Sequence, residues 1–180
     1  MKTPQIKPLT RKTLRGVWSA LILPWTARDA LNKERFAKEI RAYAGTGVSG
    51  VYTGGTTGEF YALDDATFAE STRIACKEAH AIGLPVQIGV SALSTRTVKQ
   101  RIKIANKAQA DAVQVALPCW LELKDDEVLR FVTEIAAEAG RTPIVLYVTG
   151  RSKRTIAPAL MAVSRWSSRR SASRLLPSWP

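Results

Sequence analysis

From residue 16 to residue 150 the chain alternates short apolar runs, rich in branched side chains, with longer stretches of helical period. The runs Val17–Pro24, Val48–Thr53, Pro85–Val90, Ala112–Leu117 and Pro143–Val148 predict strands. Each stretch between them carries one apolar stripe. The first has Phe36, Ile40 and Tyr43, and the second Phe68, Ala75, Ala79 and Ile82. The third has Val98, Ile102 and Ala105, and the fourth Val128, Val132, Ile135 and Ala139. These spacings place each set on one helix face. Asp64 and Asp65 open the second helix, and Asp125, Asp126 and Glu127 the fourth, where the helix dipole favours negative charge. Gly45, Gly83 and Gly140 stand where helices need a C-terminal cap.

The strands are too uniformly apolar for a sheet with one wet face, so they read as parallel strands covered by helices. Strand–helix alternation allows an open doubly wound sheet or a barrel. A dinucleotide-binding sheet would carry a G-x-G-x-x-G turn after its first strand. That strand ends instead in Leu23-Pro24-Trp25-Thr26, which favours the barrel. The expected fold class is α/β, a (βα)8 TIM barrel. Only about the first five βα units fit before the pattern stops, against eight in a closed barrel. The chain thus divides into a basic N-terminal extension (1–15), a partial barrel (16–163) and a basic tail (164–180). The tail reads SRWSSRRSASRLLPSWP, without acid or amphipathic period. It is expected to be disordered, or to be an out-of-frame sequence in a truncated chain.

Composition changes this picture mainly by exclusion. The 46% hydrophobic and 23% charged fractions suit an ordinary globular domain. No apolar run approaches a membrane helix, and no secretory h-region follows the basic start. Two cysteines, Cys76 and Cys119, do not make a disulfide framework, and a cytoplasmic location is expected. His80 is the sole histidine, so no His-based metal cluster or Ser-His-Asp triad can be built. The net charge of +12 sits in the ends, five basic residues in 1–15 and seven in 151–180. Between them, fifteen basic residues balance fifteen acidic ones, unlike a folded nucleic-acid-binding face. Neither nucleic acid nor membrane is expected as a partner.

The sharpest local feature is Gly54-Gly55-Thr56-Thr57-Gly58-Glu59, directly after the second strand. Its glycines permit a tight turn and close backbone approach, and its threonines offer hydroxyls and N–H groups that can hold a carboxylate. In a barrel this turn lies at the C-terminal rim, where active sites sit. The alternative is a plain βα loop whose threonines cap the next helix.

The string GGTTGEFYAL resembles the GTTGE signature of the dihydrodipicolinate synthase and N-acetylneuraminate lyase family. Gly16-Val17-Trp18-Ser19-Ala20 leading to Pro24-Trp25-Thr26 is similar to the family's first strand. Leu84–Val90 is similar to its third, Ala116-Leu117-Pro118-Cys119-Trp120 to the end of its fourth, and Pro143–Tyr147 to its fifth. The resemblance covers roughly residues 14–160 in order. It implies a lyase that acts on pyruvate or a related 2-keto acid through a lysine Schiff base, by aldol cleavage, condensation or dehydration, without a cofactor or metal. By resemblance, Gly55, Thr56 and Thr57 hold the substrate carboxylate, and the Thr57 hydroxyl joins a proton relay centred on Tyr147. Arg151 is the matching carboxylate arginine, and Trp120 lines the pocket. A homo-oligomer is implied for the full-length family.

The departures matter as well. Two tyrosines expected after the fourth-strand proline are replaced by Cys119 and Trp120, and Cys119 has no nearby histidine to activate it. A structural thiol is the expected role there. Val148-Thr149-Gly150-Arg151 replaces the usual segment after the tyrosine. The Schiff-base lysine is missing, for its neighbourhood reads Ser173-Arg174-Leu175-Leu176 and the only lysine after Tyr147 is Lys153. Two further readings stay open: a catalytically inactive fragment, and a basic interaction protein using its charged ends.

Overall fold

A computed structural model describes residues 6, 9–10, 12–157 and 175–177, with backbone alone at 151 and 175–177. Its elements run β1 (Trp18–Ala20), α1 (Lys33–Arg41), β2 (Gly50–Thr53), α2 (Asp65–Ala81), β3 (Val86–Gly89), α3 (Thr95–Lys107), β4 (Ala112–Val115), α4 (Asp125–Ala139), β5 (Ile144–Leu146), a 3-10 turn (Gly150–Ser152) and β6 (Leu175–Pro177). The strands form one parallel sheet in chain order, β1 to β6. Every predicted strand and helix is present.

The helices start where local chemistry satisfies their first free N–H groups. Asn32, Asp64 and Ser94 each accept a hydrogen bond from the backbone N–H three residues on, at 3.0, 2.7 and 3.2 Å. At α4 the side chain works in reverse, with Glu127 accepting from Lys124 N–H at 2.7 Å. Gly45, Gly83 and Gly140 all take the left-handed φ that their capping role requires.

Period-two alternation gives each strand two faces. Val51, Val86, Ile88, Val113, Val115, Ile144 and Leu146 face the helices and merge with Phe36, Ile40, Phe68, Val98, Ile102, Val132 and Ile135 into one core. The opposite face carries Tyr52, Gln87, Gln114, Val145 and, just past β5, Tyr147. A second small cluster there joins Ala112 and Val145 to Leu9 and Leu14, with Trp18 packed on it. Leu9 and Leu14 are therefore buried against the inner face of the sheet, and the expected N-terminal extension packs on the barrel at these two positions.

The tail from 158 onward lies outside the described residues except at β6. There the backbone of Leu175–Pro177 pairs in parallel with β5. Three apolar-to-neutral residues suffice for a strand once a neighbouring edge offers free N–H and C=O groups.

Candidate active site

Parallel strands with helical crossovers deliver all the βα loops to one rim. At that rim Gly54, Gly55, Thr56, Phe60, Gly89, Ser91, Gln114, Cys119, Tyr147, Thr149 and Ser152, among others, enclose a cavity of about 60 Å³. None of the described residues lining it carries a charge.

The turn after β2 depends on its glycines. Gly54 has φ +70°, and a Cβ there would lie 2.3 Å from the Gly89 carbonyl oxygen. A Cβ on Gly89 would meet the Gly54 oxygen at 2.2 Å. The ends of β2 and β3 therefore touch backbone to backbone. Gly58 closes the turn, since its Cβ would come within 2.6 Å of Gly54 N. Backbone bonds from Glu59 N–H to Thr56 O and from Phe60 N–H to Gly55 O hold the turn's shape.

The loops are also tied to one another by side chains. Trp25 Nε1 donates to Glu59 Oε2 at 3.0 Å, joining the loops after β1 and β2. Arg101 of α3 reaches the loops after β2 and β3 together, donating to Phe60, Leu63 and Ser91 carbonyls. Ser91 Oγ accepts from Ala116 N–H at 2.9 Å, joining the next pair. Arg154 donates to Leu123 O and Asp125, and Lys153 Nζ donates to Trp120 O at 3.1 Å, so the loops after β4 and β5 are joined too.

Of the residues singled out from sequence, Gly55, Thr56 and Tyr147 share the cavity wall. Thr57 follows on the same turn but is exposed and does not line the cavity. Arg151 lies in the 3-10 turn between the lining residues Thr149 and Ser152, and its side chain is outside the described residues. Trp120 does not line this cavity. It is 74% exposed and borders a neighbouring groove with Leu93, Leu121 and Phe131. Pro118 borders the same groove, whereas Cys119 lines the cavity. Cys119 is half-buried and free, so the expected structural thiol faces the cavity.

Sequence reasoning missed Tyr52, Ser91 and Gln114. Burial, and then the charge of the Tyr147 phenol, raise the Tyr52 phenol above its ordinary 10.0. Gln114 Oε1 is buried without a hydrogen-bond partner among the described residues. Alternation within β2 and β4 would have placed Tyr52 and Gln114 on the inner face. His80 lies at the other end of the strands, 2.8 Å from Asp111 Oδ2, which also accepts from Val86 N–H. It has no part in the cavity.

The model of the Dihydrodipicolinate synthetase family matches residues 13–163. An N-acetylneuraminate lyase of Salmonella paratyphi B is 29% identical over 137 residues, covering 76% of this chain and 46% of that lyase. The chain thus spans about half the length of the curated relatives it matches. Among solved structures, a Ruminococcus gnavus sialic acid aldolase carrying a catalytic lysine mutation superposes with a TM-score of 0.82 at 19% identity, over 93% of this chain and 54% of that one. A dihydrodipicolinate synthase from Rhodopseudomonas palustris gives 0.79 at 23% identity, over 98% and 57%. A prophage protein of the dihydrodipicolinic acid synthase family from E. coli K12, in complex with pyruvate, gives 0.79 at 22%, over 88% and 52%. These likenesses establish the fold as the first part of a TIM barrel. Among the described residues no helix is long and apolar enough to cross a membrane.

Proposed function

This chain belongs to the dihydrodipicolinate synthetase family, and on that premise we propose that it takes a 2-keto acid of the pyruvate type at the cavity between β2 and β5. The observation that carries this reading is the meeting of Gly55, Thr56 and Tyr147 on one wall, although they are far apart in the chain. The Thr56–Thr57 turn receives the carboxylate, with Arg151 as its proposed cationic partner. The Tyr147 phenol stands over the keto carbon, where it can pass protons to and from the carbonyl oxygen. Self-association is proposed on family resemblance, and the exposed Leu93, Trp120 and Leu121 offer apolar surface for it. The two free cysteines fit a cytoplasmic setting.

The lyase reaction itself needs a primary amine to form the imine that serves as electron sink. Resemblance puts that amine on the sixth strand, and β6 here reads Leu175-Leu176-Pro177. Lys153 is committed to the Trp120 carbonyl. We therefore favour 2-keto acid recognition without imine formation by this chain, which keeps the catalytically inactive reading alongside the lyase ancestry.

The test is incubation with pyruvate, by ligand-detected NMR for binding and by borohydride reduction and mass spectrometry for imine formation. Binding that weakens in Thr56→Val or Tyr147→Phe, with no reduced adduct, is expected. Absence of binding would refute the keto-acid reading. A stoichiometric adduct on Lys153, lost in Tyr147→Phe or Thr57→Val, would show that a displaced lysine has taken over the chemistry.

A further inference from the structure

Arg101 is 5% exposed. Its Nη1 donates to the Ser91 carbonyl at 2.6 Å and the Phe60 carbonyl at 3.2 Å, and its Nη2 to the Leu63 carbonyl at 3.0 Å. Its guanidinium carbon lies 4.8 Å from the centre of the Phe68 ring. The hydrogen-bonding partners are all uncharged. The acid that acts on it is Asp65, through space, and Asp65 Oδ2 is itself bound by Gln100 Nε2 at 3.0 Å.

Desolvation disfavours this charge, and burial lowers the Arg101 pKa from its ordinary 12.5. An arginine nonetheless stays protonated, so a positive charge is held inside the protein without a carboxylate bonded to it. Such a charge is costly to maintain, and packing alone would be served better by an apolar residue. Phe60 and Ser91, whose carbonyls it binds, line the cavity, and the described lining is neutral. A charge set behind an uncharged, largely apolar wall acts on that cavity with less screening than in bulk water.

We infer that Arg101 is a specificity-determining residue, whose buried unpaired charge makes the rim cavity prefer an anionic ligand over its neutral isostere. The inference rests on the proposed keto-acid site and deepens it. It assigns selectivity for the carboxylate charge to a side chain that never touches the ligand. The same fork also fixes the loops after β2 and β3, so charge and positioning must be separated by experiment.

The experiment compares the affinities of pyruvate and of pyruvamide, its uncharged amide, for the whole chain by ligand-detected NMR. In the parent protein pyruvate is expected to bind about 5- to 30-fold more tightly. In Arg101→Met that ratio should fall severalfold, the remainder being left to Arg151, with pyruvamide affinity kept. In Arg101→Lys, which keeps the charge but not the fork, most of the ratio should remain. Should Arg101→Met fail to fold, Asp65→Asn provides a surface variant. Removing that acid should raise the ratio about twofold, since a through-space carboxylate offsets part of the field. Equal affinities in the parent protein, an equal loss of both ligands in Arg101→Met, or an unchanged ratio in Asp65→Asn each overturn the inference. Failure of pyruvate to bind at all overturns the keto-acid reading with it.

Discussion

The close approach of the β2 and β3 ends can be measured with three glycine-to-alanine variants. Gly45 has φ +75° and open space around its absent Cβ, so Gly45→Ala reports the cost of the left-handed conformation alone, about 1 kcal/mol. Gly89 has no such φ, but its Cβ would meet the Gly54 carbonyl at 2.2 Å. Gly89→Ala thus reports the clash alone, about 1–3 kcal/mol as the strand ends are forced apart. Gly54 combines a φ of +70° with a 2.3 Å contact to the Gly89 oxygen. Gly54→Ala should therefore cost about the two together, ~2–4 kcal/mol. Urea unfolding followed by circular dichroism measures all three, with a constant slope confirming that only stability has changed. The expected order is Gly45→Ala mildest and Gly54→Ala most severe. Because both strand ends form the cavity wall, Gly54→Ala and Gly89→Ala should also weaken pyruvate binding, whereas Gly45→Ala should not. A neutral or stabilising Gly89→Ala would refute the reasoning. The two backbones would then be further apart than the contact requires, and the turn would need its glycines for conformation only.

Two further outcomes follow from ionisable groups. Hydrogen bonds from Arg73 and then Lys33 hold the Glu70 carboxyl down from its ordinary 4.5 to about 2, at the α1–α2 surface. A depressed carboxylate pKa stabilises the fold above its unfolded value, and that contribution is lost as pH falls from about 4.5 to about 2. Discounted for solvent screening at a partly exposed site, Glu70→Gln should cost about 1 kcal/mol at neutral pH and nothing at the acid end of that window. A pH-independent cost in urea melts would contradict this. For the thiols, burial and then the Asp111 charge push Cys76 up to about 12, whereas Cys119 faces the rim cavity. A disulfide reagent at mildly alkaline pH should modify one cysteine in the folded chain and both in denaturant, with pyruvate slowing the first. Rapid modification of Cys76 in the folded state would show that α2 does not pack as described.

The elements of the fold were legible in the sequence for a physical reason. Stripes such as Val98, Ile102 and Ala105 fit one helix face, and runs such as Val86–Gly89 fit buried strands, so local pattern and tertiary burial agree. Gly54-Gly55-Thr56-Thr57-Gly58-Glu59 stood out because a close backbone approach leaves glycine as the only residue that fits. Tyr147 was legible only through resemblance, since nothing local distinguishes it from a packing tyrosine at a strand end. Trp120 borders the neighbouring groove, a placement the sequence could not give, because a residue after a strand proline can turn inward or outward.

By itself, then, the sequence determined the order and type of the elements, their caps and the glycine turn. These are consequences of backbone sterics and side-chain period, which act over a few residues. Only the tertiary structure decided that Leu9 and Leu14 cover the inner face, that Leu175–Pro177 pair with β5, and that Arg101 binds carbonyls of two loops. It also brought the Tyr147 phenol near enough to Tyr52 to act on its charge. Each of these joins groups ten or more residues apart in the chain. Such contacts depend on where the sheet brings its loops and edges together, a property of the packed whole that no local run of residues specifies.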